Sequence, residues 1–257
     1  MSEGDAPGPE AGSASVPEGL VTTVVDLVHT GAVPLGAYTV AELTVVDAVV
    51  DFLEARPSDE VLAEAVRSLA ARQLLVPGAG EDRIQVRGDL GIAVAFQRRA
   101  RAVLDARITG AGPGEPWRTL LLPQPERVCL IVRIDALGVH ELSLRTLDET
   151  LRIMADWLPQ GSWAPSDQTG DAEAVLAAAE RSALLTTVRY TTVGSAEIAG
   201  ETTDLVLASR GGKLHAFTRD PADRARLVPR SGRATGVRDT VAALLDFRPA
   251  DRRDGPA

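Results

Sequence analysis

The side chains best suited to nucleophilic or metal chemistry are few: His29, His140, His215 and a single cysteine, Cys129. A metal centre or catalytic dyad needs partners that converge, commonly as His-x-x-x-His, His-Glu-x-x-His or Cys-x-x-Cys. None of these spacings occurs, so each histidine reads as structural or surface. Cys129 lies in the run Val128-Cys-Leu-Ile-Val132. An activated thiolate wants cationic neighbours and exposure, so this run predicts a buried small hydrophobe, and one cysteine can form no intramolecular disulfide. Asp and Glu are too numerous and evenly spread to mark a pair; an enzyme built on them would require two buried carboxylates facing one cleft. The expectation is a non-enzyme with no catalytic residue, cofactor or metal.

Glycine-rich stretches at Gly110-Ala-Gly-Pro-Gly114 and Gly78-Ala-Gly80 invite a phosphate-loop reading. A Walker loop needs Gly-Lys-Ser/Thr opening a helix, and the one lysine of the chain, Lys213, follows Gly211-Gly212 inside a hairpin turn. A dinucleotide fingerprint needs a helix after its glycines, whereas Glu115-Pro-Trp-Arg118 heads into a strand. Gly-x-Ser-x-Gly is absent as well. Turn chemistry accounts for these glycines.

Two kinds of binding residue remain. Arg98, Arg99 and Arg101 form a basic spot that could touch a phosphate backbone or simply cap a helix and pair with acids. Among the aromatics, Trp117, Trp157, Trp163 and Phe217 stand out, and tryptophan is enriched in binding hot spots. Trp163, Trp117 and Phe217 are the candidate protein-binding side chains, with packing onto their own domain as the alternative. Arg98, Arg99 and Arg101 are the candidates for a nucleic-acid reading.

These residues must be positioned by the elements around them. From about Leu20 to Arg101 the chain reads as mainly helical with a short hairpin. Leu43, Val46, Val49, Val50 and Leu53 form one apolar stripe that ends at Arg56-Pro57. Ser58 caps a second helix with Asp59 and Glu60 in its first turn, periodic to Gln73. Leu74 to Val76 and Ile84 to Val86 then flank a turn, and a further helix reaches Arg98-Arg99. Helices followed by a small hairpin make a winged-helix-like pattern. The helix at 58 to 73 carries Asp59, Glu60 and Glu64 against Arg67 and Arg72, which disfavours a duplex.

Strands dominate the rest. Ala102 to Thr109 alternates with period two, and Trp117 to Leu122, Val128 to Ile134 and Val139 to Leu144 follow as an antiparallel meander. Thr146-Leu-Asp-Glu149 is a capping box opening a helix that ends at Pro159. After a loop at 159 to 170 come a helix at about 171 to 182, strands at 184 to 192, 203 to 209, 213 to 218 and 226 to 229, and a closing helix at 236 to 246. The same order thus occurs twice, and Gly138-Val-His140 aligns loosely with Gly212-Lys-Leu-His215. The predicted fold is α+β: a winged-helix-like N-terminal part, then two strand-rich halves with mainly antiparallel sheets in a quasi-twofold arrangement. Its divisions are a disordered tail at 1 to 18, the helical region at 19 to 101, α+β units at 102 to 160 and 161 to 247, and a second disordered tail at 248 to 257.

Composition narrows the class. The 257 residues are 45% hydrophobic, enough for a buried core, and 27 Lys+Arg against 36 Asp+Glu leave a net charge of −9. A whole-chain basic footprint is excluded. The absence of asparagine and the lone lysine suit a GC-rich genome such as that of an actinomycete. The first 18 residues lack the charged and apolar regions of a signal peptide, no run reaches the ~20 apolar residues of a membrane helix, and a cytoplasmic protein is expected.

The helical opening with Arg67-Ser-Leu-Ala-Ala-Arg-Gln-Leu-Leu75, the hairpin and next helix, an α+β half ending at Leu158-Pro159, and a second half ending in Val241-Ala-Ala-Leu-Leu245 together resemble the EspG family of actinobacteria. The resemblance follows the order of elements over most of residues 20 to 247. It implies a cytosolic, non-catalytic chaperone of type VII secretion with quasi-twofold α/β architecture, whose partner is a small helical secreted substrate. The alternative from the residues themselves is a winged-helix transcriptional regulator with an α+β sensor region.

Overall fold

The computed structural model describes residues 18–48, 57–78, 84–165, 171–193, 196–230 and 236–246. Of the tails expected at 1 to 18 and 248 to 257, Glu18 instead opens the first helix and the rest lie outside these residues, as do Val49, Val50 and Leu53. The chain runs α1 (Glu18–Thr30), β1 (Val33–Tyr38), α2 (Val40–Val45), α3 (Asp59–Ala71), β2 (Leu75–Pro77), β3 (Ile84–Val86) and α4 (Gly88–Arg99). It continues with β4 (Ala102–Thr109), β5 (Arg118–Pro123), β6 (Val128–Ile134), β7 (His140–Thr146), α5 (Leu147–Trp157) and β8 (Ser162–Trp163). Last come α6 (Ala172–Ala177), β9 (Arg181–Val193), β10 (Ala196–Arg210), β11 (Lys213–Arg219), β12 (Leu227–Pro229) and α7 (Val237–Leu244).

This is an α+β protein built on one large, mostly antiparallel sheet of 10 strands, with β2 and β3 as a separate hairpin. The order is β1-β7-β6-β5-β4-β9-β10-β11-β12, and β8 adds in parallel to β11. Read outward from the β4/β9 pair, four strands follow chain order on each side, β4 to β7 and β9 to β12. A helix precedes each set and another follows it. This order equates β6 with β11 and β7 with β12, so Gly138-Val-His140 and Gly212-Lys-Leu-His215 open non-equivalent strands; their alignment reflects similar turns.

Two large cores cover the sheet. On one face, α1, α4 and neighbouring helices bury Val24, Leu69, Leu90 and Phe96 against Leu120, Leu130 and Leu142. On the other, α5 and α7 pack together over Leu104, Leu121, Ile131 and Leu205. Strands β5 and β6 lie between these layers, which is why they read as unbroken apolar runs rather than alternating ones. A smaller cluster under α6 contains Val206, Ala208 and Phe217. Because Val206 and Ala208 alternate with Leu205 and Leu207, it occupies the face opposite α5 and α7.

Three departures from the sequence reading have local causes. The first block supplies a strand, β1, that pairs with β7; Pro34 and Gly36, where the register shifts, mask it as a strand in sequence and suit it to an edge. The helix expected to carry the stripe from Leu43 to Leu53 is, within the described residues, a short one from Val40 to Val45, and Asp47 adopts φ 53°, a left-handed turn that cannot continue a helix. Strand β10 is about twice its expected length and β9 extends at both ends, so that the two form a two-stranded arm beyond the ends of β4 and β11. A bulge between Ala199 and Thr202 breaks the register there.

Candidate protein-interaction site

The three tryptophans of the chain, far apart in sequence, all lie at one end of the sheet. Trp117 precedes β5, Trp157 closes α5, and Trp163 in β8 pairs beside Leu214 at the start of β11. The antiparallel order brings the end of β4, the β6–β7 turn and the starts of β9 and β11 to the same level. Two glycines permit the close approaches required. A Cβ at Gly161 would lie 2.8 Å from the Lys213 carbonyl carbon, and one at Gly110 would lie 2.8 Å from the Glu180 carbonyl oxygen.

Hydrogen bonds fix this end from beneath. The Trp157 Nε1 donates to the Pro116 carbonyl at 3.0 Å, and the Trp117 Nε1 donates to the Asp135 carbonyl at 2.9 Å. Arg181 donates to the Trp157 carbonyl at 2.7 Å and to Glu115 Oε2 at 2.8 Å, and the same oxygen accepts the Gly112 N–H at 2.9 Å. The Gly112 and Arg181 bonds hold the Glu115 carboxyl below its ordinary pKa. Asp135 Oδ1 accepts the N–H groups of Leu137 and Val139, both at 2.9 Å, and so presents Leu137 at the tip of its turn.

The result is exposed apolar side chains on a hydrogen-bonded frame. Trp117 is 37% exposed and Leu137 is 88% exposed. Trp157 lines a cavity of about 40 Å³ with Pro116, Leu121, Ile131, Ile153 and Met154, beside Arg133 and Thr150. With both indole N–H groups already bonded, what Trp117 and Trp157 have left to offer a partner is ring surface, which is how such residues act as anchors.

The other candidate residues fall elsewhere. Trp163 reaches this end but is half-buried against the α5/α7 core. Phe217 does not belong to the surface: it is fully buried on mid-β11 against Ala172, Val175 and Val206, because strand alternation points it under α6. Arg98, Arg99 and Arg101 sit at the opposite end of the sheet; Arg99 is paired with Glu126 and Arg98 is exposed. On α3, Arg67 is engaged by Glu64 at 2.8 Å, and Arg72 binds Glu42 at 3.0 Å. Leu137 and Arg181 escaped the sequence reading. An apolar residue inside the Asp-Ala-Leu-Gly turn was the available signal for the first; nothing local marked the second.

The histidines do not converge. His29 Nδ1 lies 2.9 Å from the Val25 carbonyl of its own helix. His140 is buried beside the Gly138 carbonyl, and His215 lies on β11, six strand intervals or roughly 30 Å across the sheet. Burial lowers the pKa of His140 and of His215, the latter also through Arg210. Among the described residues no cluster of His, Cys, Asp or Glu could hold a metal ion. No helix among them is long and apolar enough to cross a membrane. No family model matches the chain, and no curated protein matches it.

Proposed function

We propose that this chain is a non-enzymatic, cytosolic protein-binding protein, similar to a type VII secretion chaperone of the EspG family, and that a small helical secreted substrate docks at the tryptophan end. The observation that carries the reading is the convergence of Trp117, Trp157 and Leu137 on one bonded, apolar sheet end. The ordered repeat of helix, four strands and helix on either side of the β4/β9 pair supports the quasi-twofold architecture that the resemblance implies. Such a duplication also explains why α5 and α7 cover the same face.

Affinity capture from an actinobacterial host with the wild-type chain and with Trp117→Ala tests it. Recovery of a small helical secreted protein by the wild type, sharply reduced by the variant, is expected. Capture of no such protein by either sinks the reading. The order α3, β2–β3 hairpin, α4 favours a second reading, a winged-helix regulator. That reading predicts a low-salt gel shift on promoter DNA that is lost when Arg98, Arg99 and Arg101 are neutralised.

A further inference from the structure

Residues 210–230 run against the charge of the chain. They hold Arg210, Lys213, Arg219, Arg224, Arg226 and Arg230 against Asp220 and Asp223, in a protein of net charge −9. Elsewhere most arginines face a carboxylate, as for Arg99, Arg145 and Arg181, with Arg127 and Arg238 sharing Asp148. Arg98 apart, the cations whose side chains have no hydrogen-bond or ion-pair partner among the described residues are Arg210, Lys213, Arg224, Arg226 and Arg230. Arg219 alone in this segment is paired, with Asp204.

The acids nearby are occupied by backbone. Asp220 Oδ1 accepts the Ala222 N–H at 2.9 Å, Asp223 Oδ1 accepts the Ala225 N–H at 3.0 Å, and Glu180 Oε1 accepts the Gly211 N–H at 3.0 Å. Arg210 and Lys213 flank the turn at one end of β11, and Arg224 and Arg226 occupy the exposed loop at the other. Arg230 lies between them, its N–H donating to the Ala216 carbonyl at 2.8 Å. Seven strand residues span roughly 20 Å, so these cations form a stripe along the β11/β12 edge of the sheet.

We propose that this edge docks an acidic polypeptide segment. Cations without a partner among the described residues, aligned over this length, complement a run of carboxylates on one extended or helical segment and speed its encounter. A nucleic-acid duplex fits less well, because one row of cations matches one of its two phosphate rows and the chain as a whole carries a net charge of −9. The proposal does not rest on Trp117 or Leu137, although the Arg210/Lys213 turn lies at the same end of the sheet.

Fluorescence anisotropy with a labelled short oligoglutamate tests it, at low and at physiological salt. Saturable binding is expected at low salt, weakened by about tenfold or more at physiological salt and by a similar factor in Lys213→Ser/Arg224→Ser/Arg226→Ser. Arg224→Lys/Arg226→Lys retains most of it, and Trp117→Ala leaves it unchanged. No saturable binding at low salt overturns the proposal, as does a triple variant that binds like the wild type. Tighter binding of a DNA duplex, lost in the same triple variant, would assign the stripe to nucleic acid instead.

Discussion

The indole N–H of Trp157, the last residue of α5, donates to the carbonyl of Pro116 at 3.0 Å and ties the helix to the loop that carries Trp117. One bond thus couples a core helix to the exposed apolar surface. Trp157→Phe keeps most of the ring packing and removes this bond. We expect a loss of about 1 kcal/mol in urea unfolding, with faster amide exchange over residues 112–117.

Asp105 and Arg118 form a buried pair, with Arg118 Nε to Oδ1 at 2.8 Å and Nη2 to Oδ2 at 3.0 Å, and Arg107 also reaching Oδ2 at 3.1 Å. Removing Asp105 takes the bidentate carboxylate away from a guanidinium buried in the sheet interior. Asp105→Ala should cost about 3 kcal/mol, whereas Asp105→Leu/Arg118→Met should recover much of that loss. Urea midpoints of the three proteins check this.

Glu42 closes the capping box of α2 and joins that helix to α3. It accepts from the Thr39 N–H at 2.9 Å, Ser68 Oγ at 2.7 Å and Arg72 Nη1 at 3.0 Å, and Arg72 in turn lies over the Tyr38 ring. Burial pushes the carboxyl pKa upward, yet these donors outweigh it and hold the group below its ordinary 4.5. A lowered folded-state pKa stabilises above the unfolded value and ceases to do so as pH falls through the folded one. Glu42→Gln should therefore be less stable than wild type by about 2 kcal/mol at neutral pH, and the gap should shrink as pH falls below 4.5.

Cys129 is fully buried on β6, and burial pushes its thiol up to about 12. The native protein should not react with a disulfide reagent at neutral pH, and one thiol should titrate after unfolding in guanidinium. Absorbance at the released thiolate reads both states.

The elements were more legible than their assembly. Thr146 and Glu149 announced α5, whose N-cap Thr146 accepts the Glu149 N–H, and the alternation from Ala102 to Thr109 marked β4. Strand β1 was hidden because Pro34 and Gly36 carry no strand propensity, and the β9–β10 arm because Gly200, Glu201, Thr202 and Thr203 carry no apolar alternation. Trp117 was visible as a residue, but its neighbours were not: Trp157, Arg181 and Leu137 join it only through long-range sheet register. Phe217 misled because an aromatic in a short chain segment looks the same whether its strand face is covered by α6 or by a partner.

Site-specific photocrosslinking tests the central claim most directly. With p-benzoylphenylalanine replacing Leu137 at the turn tip, the protein produced in an actinobacterial host should yield an adduct with a small helical secreted protein. The same probe replacing Val61, exposed on α3 in the N-terminal region, should yield none. Adducts from Val61 with none from Leu137 would contradict a partner bound at the tryptophan end.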